Sequence, residues 1–138
     1  MSQVPASTKL YQRGYLTQED GSLDRVQIRY RGDNPTNWLF WKKSIRMKLP
    51  KKKLRDGMRV FNYGARPSLN RMDDYLVLSI ADRLGVVAPK SRPVELFIND
   101  ISRGIYVEAE RYDESFLRNR NIMPVNIYKG EQNNADYV

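Results

Sequence analysis

Two stretches of strict alternation constrain this chain more than any other feature. From Asp24 to Arg31, Val26, Ile28 and Tyr30 fall on one side of an extended chain, and Arg25, Gln27, Arg29 and Arg31 on the other. From Lys43 to Leu49 the pattern returns, with Ile45, Met47 and Leu49 set against Ser44, Arg46 and Lys48. Period two with β-branched residues is the mark of a strand with one buried face. Gly32-Asp33-Asn34-Pro35 closes the first stretch with turn chemistry, and Pro50 closes the second because it has no N–H to give a ladder. The pair predicts a hairpin with a long connection, of the length that carries function.

The rest of the chain fits around that hairpin. Lys51 to Gly57 reads as a basic turn and Met58 to Asn62 as a short strand. Asn70 to Leu84 reads as the one principal helix: Met72, Leu76, Ile80 and Leu84 recur every fourth residue, and Val77 and Ala81 widen the stripe. Asn70 or Ser68 suits its N-cap, Asp73 and Asp74 suit the positive end of its dipole, and Gly85 suits the C′ position. Val94, Leu96 and Ile98 predict a further strand. Asn99-Asp100 and Gly104 bracket a turn into another, Ile105 to Glu110. Asp113 is placed to cap a short helix through Leu117, and Val125 to Tyr128 reads as a last strand. Strands, helix, strands in that order predict an α+β fold, a mainly antiparallel sheet with one principal helix packed on it.

Composition narrows the chemistry. With no cysteine and no histidine, disulfides, thiol catalysis, His-based triads and zinc sites built on Cys or His are excluded. No apolar run is long enough to span a membrane, and the first thirty residues carry no apolar signal-peptide core. The 138 residues suit a single domain or part of one, with a tail from 129 to 138 that lacks an apolar pattern and is expected to be poorly ordered. The net charge of +8 is local: Lys42 to Arg59 holds nine basic residues and one acid, and elsewhere the charges cancel.

Three features could carry chemistry. Lys43 shares the parity of Ile45, Met47 and Leu49, so its stem is expected to point inward and that of Lys42 away. An inward ammonium needs a carboxylate or phosphate, unless it sits at the strand's entry and snorkels to solvent. The loop Gly32 to Asn37 can present backbone N–H groups to an anion, or can be a plain connection. Glu108 and Glu110 share one strand face, where paired acids can hold a metal, a base edge or a lysine, or can simply be solvated. The basic stretch, with Trp38, Phe40 and Trp41 before it, invites a nucleic-acid reading. Those aromatics are not spaced as a stacking platform, however, and a charged edge that discourages aggregation explains the cations more simply.

Taken in order, VQIRYRGDNPTNW, KKSIRMKL with KKKLRDGMRVFN, DYLVLSIADRLGVVAPKS and VELFINDISRGIYVEAERYDESFLRNRN resemble the CotH (spore coat protein H-like) kinase family. The resemblance covers nearly the whole chain and lies with the N-terminal part of the family domain. It implies the N-terminal lobe of an atypical protein-kinase-like fold that binds ATP with Mg or another divalent metal and phosphorylates Ser/Thr of proteins, as in spore coats. By position it assigns Lys43, with Lys42 as rival, to the phosphates, Gly32 and Asn34 to the loop over them, and Glu110 to the neighbourhood of the adenine. It also implies a bacterial spore-coat or extracellular setting, and catalytic and metal-binding residues beyond the matched region. The chain alone is therefore expected to have little or no kinase activity. The family's Asn-Gly turn is Asn99-Asp100 here, while Gly104 and Tyr106 are kept.

Overall fold

The computed structural model describes residues 10–31, 42–65 and 72–128. Six strands form one antiparallel sheet: β1 (Gln12–Thr17), β2 (Leu23–Tyr30), β3 (Ile45–Lys48), β4 (Val60–Gly64), β5 (Ser91–Ile98) and β6 (Ile101–Glu110). Their spatial order is β1-β2-β3-β4-β6-β5. Helix α1 (Asp73–Arg83) comes between β4 and β5, and the short α2 (Glu114–Arg118) follows β6. The α+β antiparallel expectation holds, and β2 pairs with β3 as the alternation requires, with Arg29 opposite Arg46 and Ile28 opposite Met47.

Register makes the sheet two-faced. The inner face carries Val26, Ile45, Met47, Phe61, Tyr63 and Tyr106, which form the core. The same parity places Leu16, Ile28, Val94 and Leu96 against that core from the flanks. The other face, called outer below, carries Arg13, Arg25, Gln27, Arg29, Arg46, Lys48, Asn62 and Ala109.

Strand β1 is absent from the sequence reading because its inward row is Gln12, Gly14 and Leu16, too polar to show the alternation. Residues 122–128 form no strand, so the expected strand at Val125–Tyr128 is not there. Pro124 precedes it and no strand edge receives it. The turn at Asn99-Asp100 puts both residues at positive φ (51° and 62°), the two-residue hairpin geometry in which Asn-Gly is most comfortable. Gly104, at φ 74°, sits where the β5–β6 register slips between Glu95 and Phe97, as a bulge glycine does.

Helix α1 ends as its sequence requires. The Gly85 N–H reaches the Asp82 carbonyl (3.0 Å) and the Val86 N–H reaches that of Ala81 (2.9 Å), a Schellman closure around Gly85 at φ 74°. Its N-cap is Met72, which makes no side-chain cap bond; the expected caps Ser68 and Asn70 lie outside the described residues. The expected apolar stripe corrects more sharply. Leu76, Val77, Ile80 and Leu84 are 53–75% exposed, and no residue of α1 is buried. Tyr75, Leu78, Ser79 and Ala81 are the half-buried ones, so the helix lies against the sheet on a different arc. Helix α2 forms as expected, with the Asp113 carboxylate accepting the Ser115 N–H (3.0 Å) and Phe116 and Leu117 buried. No helix of the described residues is long and apolar enough to cross a membrane.

Candidate functional site: a cationic outer face

The polar face of β3 is not simply solvated. Lys42 and Ser44 are buried, Arg46 and Lys48 half-buried, and Asn62 beside them on β4 is buried. The expectation that Lys43 points into the protein and Lys42 away is reversed in burial: Lys42 is 3% exposed. The strand begins only at Ile45, and before it Lys42 reaches β6 and Ser44 reaches the residue after β4. The Lys42 ammonium donates to the Ile105 carbonyl and lies 4.3 Å from the centre of the Tyr106 ring. Lys43 is half-buried, with its ammonium 5.2 Å from the centre of the Tyr30 ring. The Ser44 hydroxyl donates to the Ala65 carbonyl (3.3 Å) and accepts the Ala65 N–H (2.9 Å), tying the entry of β3 to the exit of β4.

Next to this row positive charge concentrates around Arg46. Arg29 and Arg46 stand directly opposite on β2 and β3, a placement that like charges avoid unless something offsets it. Burial first, then Arg111, Arg29 and Arg31, hold the Arg46 guanidinium below the usual arginine range. Its Nε donates to Asn62 Oδ1 (2.9 Å), the only side-chain hydrogen bond it makes among the described residues. Arg29 Nε is buried without a hydrogen-bond partner, and the same group lies 5.1 Å from the centre of the Tyr11 ring. No ion pair involves Arg29 or Arg46 among the described residues. Two facing guanidiniums such as Arg29 and Arg46, with no ion pair among the described residues, are suited to an oxyanion of more than one charge. Arg111 lies 3.9 Å from the Asp113 carboxylate.

The inner face has the opposite character. It encloses an open hollow of about 1010 Å³ walled by Leu16, Ile28, Ile45, Met47, Val94 and Leu96. Its buried acids are paired. Glu108 is buried, not solvated as its strand parity suggested, and accepts from Arg55 (2.6 Å) and Arg92 (3.0 Å). Burial, and then the Glu108 carboxylate, push the Tyr63 hydroxyl beside them well above the usual tyrosine range. Asp24, also buried, receives Lys53 and the Gln18 amide (2.8 Å). Two cations of the basic stretch thus neutralise buried acids of other segments.

Glu110 is likewise buried rather than solvated. Its carboxylate accepts from Arg120 (2.8 Å), the Lys90 N–H (3.1 Å) and the Asn119 amide (3.4 Å). It fastens the end of β6 to the segment before β5 and to the turn after α2. Gly32 and Asn34 lie outside the described residues. No group of three or more acids able to hold a metal occurs among the described residues.

Arg31, Lys42-Lys43-Ser44, Leu84-Gly85 and the Asn99–Tyr106 hairpin are thus placed in one sheet-and-helix unit. A family model described as CotH kinase protein matches residues 28–138. The chain belongs to the CotH kinase family. The match opens within β2 and runs through every later element, so β1 and the first five residues of β2 precede it. No curated protein matches the chain. Among the motifs that carry the family resemblance, the serine of Lys42-Lys43-Ser44 and the glycines at 85 and 104 have direct structural reasons: a strand tie, a helix stop and a bulge. The sequence reading passed over Arg29, Arg31, Arg46 and Arg111. The available signal was that the outward rows of β2 and β3 are both cationic and belong to strands that pair, which brings the two rows together.

Proposed function

We propose that the chain is the nucleotide-facing N-terminal part of a CotH-type protein kinase, and that ATP places its phosphates on the outer-face arginines. The observation that carries this reading is that Arg29 stands directly opposite a half-buried Arg46 with no ion pair to either among the described residues, Arg31 and Arg111 adding positive charge nearby. Small residues beside it, Ser44, Gly64 and Ala109, leave room for a flat ring over the sheet. Kinases generally cover the phosphates with a glycine-containing loop and fix them with a lysine on a strand. Here the connection holding Gly32 and Asn34 joins β2 to β3, and Lys42 and Lys43 enter β3. Lys43 is the lysine of this reading, since Lys42 is already engaged by the Ile105 carbonyl and Tyr106. With the parity of the inner row and its ammonium beside Tyr30, Lys43 would have to reach the phosphates around the entry of β3. Glu110 contributes the backbone at the end of β6, its carboxylate being taken by Arg120.

The arginine face fits the anionic end of ATP. When bound, ATP with Mg or another divalent metal supplies the phosphoryl group for Ser/Thr of a protein substrate. The residues described here supply binding and orientation only, and the reading leaves the catalytic and metal-holding groups to the remainder of the kinase domain.

Isothermal titration of the 138-residue chain with Mg-ATP tests this. Saturable binding is expected, weakened at least tenfold by Arg46→Ala and by Lys43→Ala and unchanged by Lys51→Ala. Absence of saturable binding, or equal loss with Lys51→Ala, would overturn the assignment. Phosphoryl transfer to protein by this chain alone would overturn its reading as a part. Filaments formed without nucleotide binding would favour a structural coat protein instead.

A further inference from the structure

The outer face continues past the arginine cluster. Arg13 on β1 stands opposite Gln27 on β2, which stands opposite Lys48 on β3, and Arg25 stands opposite Tyr15. The outward rows of these three strands hold no aspartate or glutamate. Asp24, their one acid, points inward and pairs with Lys53. Arg13, Arg25 and Lys48 make no ion pair among the described residues, and Arg13, Arg25 and Gln27 are exposed.

Distance separates this part from the cluster. Arg25 lies four residues along β2 from Arg29, roughly 13 Å, and β1 lies two strand spacings from β3, roughly 10 Å. A triphosphate seated on Arg29 and Arg46 leaves Arg13 and Arg25 unneutralised.

Geometry selects the kind of anion. Side chains on one face of a strand repeat every 6.6 Å or so, and so do those of an extended peptide laid over it. The rings offered here do not suit nucleic acid. Tyr11 already carries Arg29 at 5.1 Å and Lys48 at 5.8 Å from its centre, which leaves Tyr15 as the ring free for a base, where strand binding uses successive ones. Of the three cations without an ion pair among the described residues, two are arginines, whose planar fork matches a phosphoryl group in two hydrogen bonds, and Gln27 adds a neutral donor between them.

We infer that the outer face of β1 to β3, around Arg13, Arg25, Gln27 and Lys48, holds a phosphorylated segment of the protein substrate. This rests on the kinase reading above: the product of one transfer docks there while another hydroxyl is presented, so a substrate with several acceptor residues is held between turnovers.

Fluorescence anisotropy with the 138-residue chain at fixed ionic strength tests it. The probes are an extended peptide with phosphoserine at two positions two residues apart, the same peptide with Ser, and the same peptide with Glu. The phosphopeptide is expected to bind at least tenfold tighter than the Ser peptide, with the Glu peptide between. Arg13→Glu with Arg25→Glu should erase that preference and leave Mg-ATP affinity unchanged, while Arg46→Ala should do the reverse. Equal binding of Ser and phosphoserine peptides would sink the inference. So would displacement of the phosphopeptide by Mg-ATP, which would place it on the nucleotide cluster, or equal binding of the Glu peptide, which would make the ligand merely acidic. A single-stranded oligonucleotide of matched charge binding as tightly as the phosphopeptide would show a generic polyanion surface and overturn it too. Preference for phosphoserine in a chain that fails to bind ATP would sustain this surface and sink the nucleotide assignment alone.

Discussion

Single residues in the turn from Lys51 to Gly57 set how that turn closes. Gly57 has φ 73°, and a Cβ there would meet Asn119 Oδ1 at 2.2 Å. Asn119 cannot withdraw freely, because its amide donates to the Asp56 carbonyl (3.1 Å). Gly21 has a similar φ, 78°, with nothing within 4 Å of the same position. Left-handed backbone alone costs a non-glycine residue about 1–2 kcal/mol. Gly21→Ala should therefore lose about 1 kcal/mol, and Gly57→Ala about 3 kcal/mol once the clash is added. Urea midpoints of the two variants check this; equal losses would remove Asn119 from the argument. Arg120 carries a second residue-scale expectation. Removing it leaves Glu110, whose side chain is 1% exposed, with only the Lys90 N–H and the Asn119 amide. Arg120→Met should cost about 3–5 kcal/mol, the usual cost of stranding one partner of a buried pair. Glu110→Gln, which keeps the Lys90 bond, should recover part of that loss in the Arg120→Met background.

At the scale of elements, α1 is the least anchored piece of the unit. It is apolar around much of its circumference, yet Leu76, Val77, Ile80 and Leu84 face solvent and no residue is buried. Packing of an apolar face supplies most of a helix's stability, and eleven residues are too few to be stable alone. Amide hydrogen exchange in α1 is therefore expected to be at least a hundredfold faster than in β4 and β6, which carry Phe61, Tyr63 and Tyr106 in the core. Uniform protection across α1 and β4 would contradict it. The same comparison shows what sequence can convey. The alternation of β2 and β3 fixed both faces and their pairing, because period two allows one inward set. The α1 stripe misled because the helix has two apolar arcs, and spacing cannot say which one meets the sheet. Glu108 and Glu110 misled for a related reason: their burial depends on Arg55, Arg92 and Arg120, which come from distant segments. The outer-face site was half legible, its cations visible in the outward rows, the facing of Arg29 and Arg46 visible only after pairing.

Across the whole molecule, the +8 charge becomes a question of where repulsion is stored. Lys53 and Arg55 discharge theirs onto Asp24 and Glu108 inside the sheet. The outer face does not: Arg29 opposes Arg46, and Arg111 and Arg31 press on the same guanidinium. A folded state that holds such a cluster gains from any anion that occupies it, and the unfolded chain, with its arginines spread out, gains little. Binding to the folded state alone stabilises by RT ln(1 + [L]/Kd), about 2.7 kcal/mol at a hundredfold excess over Kd. Pyrophosphate should therefore raise the melting temperature more than chloride at equal ionic strength, because chloride screens the repulsion without bridging the guanidiniums. Arg46→Met should raise the melting temperature in dilute chloride by relieving the repulsion and should abolish the extra gain from pyrophosphate. If pyrophosphate and chloride act alike at matched ionic strength, the face is only screened, and the facing arginines have no bound anion to answer to.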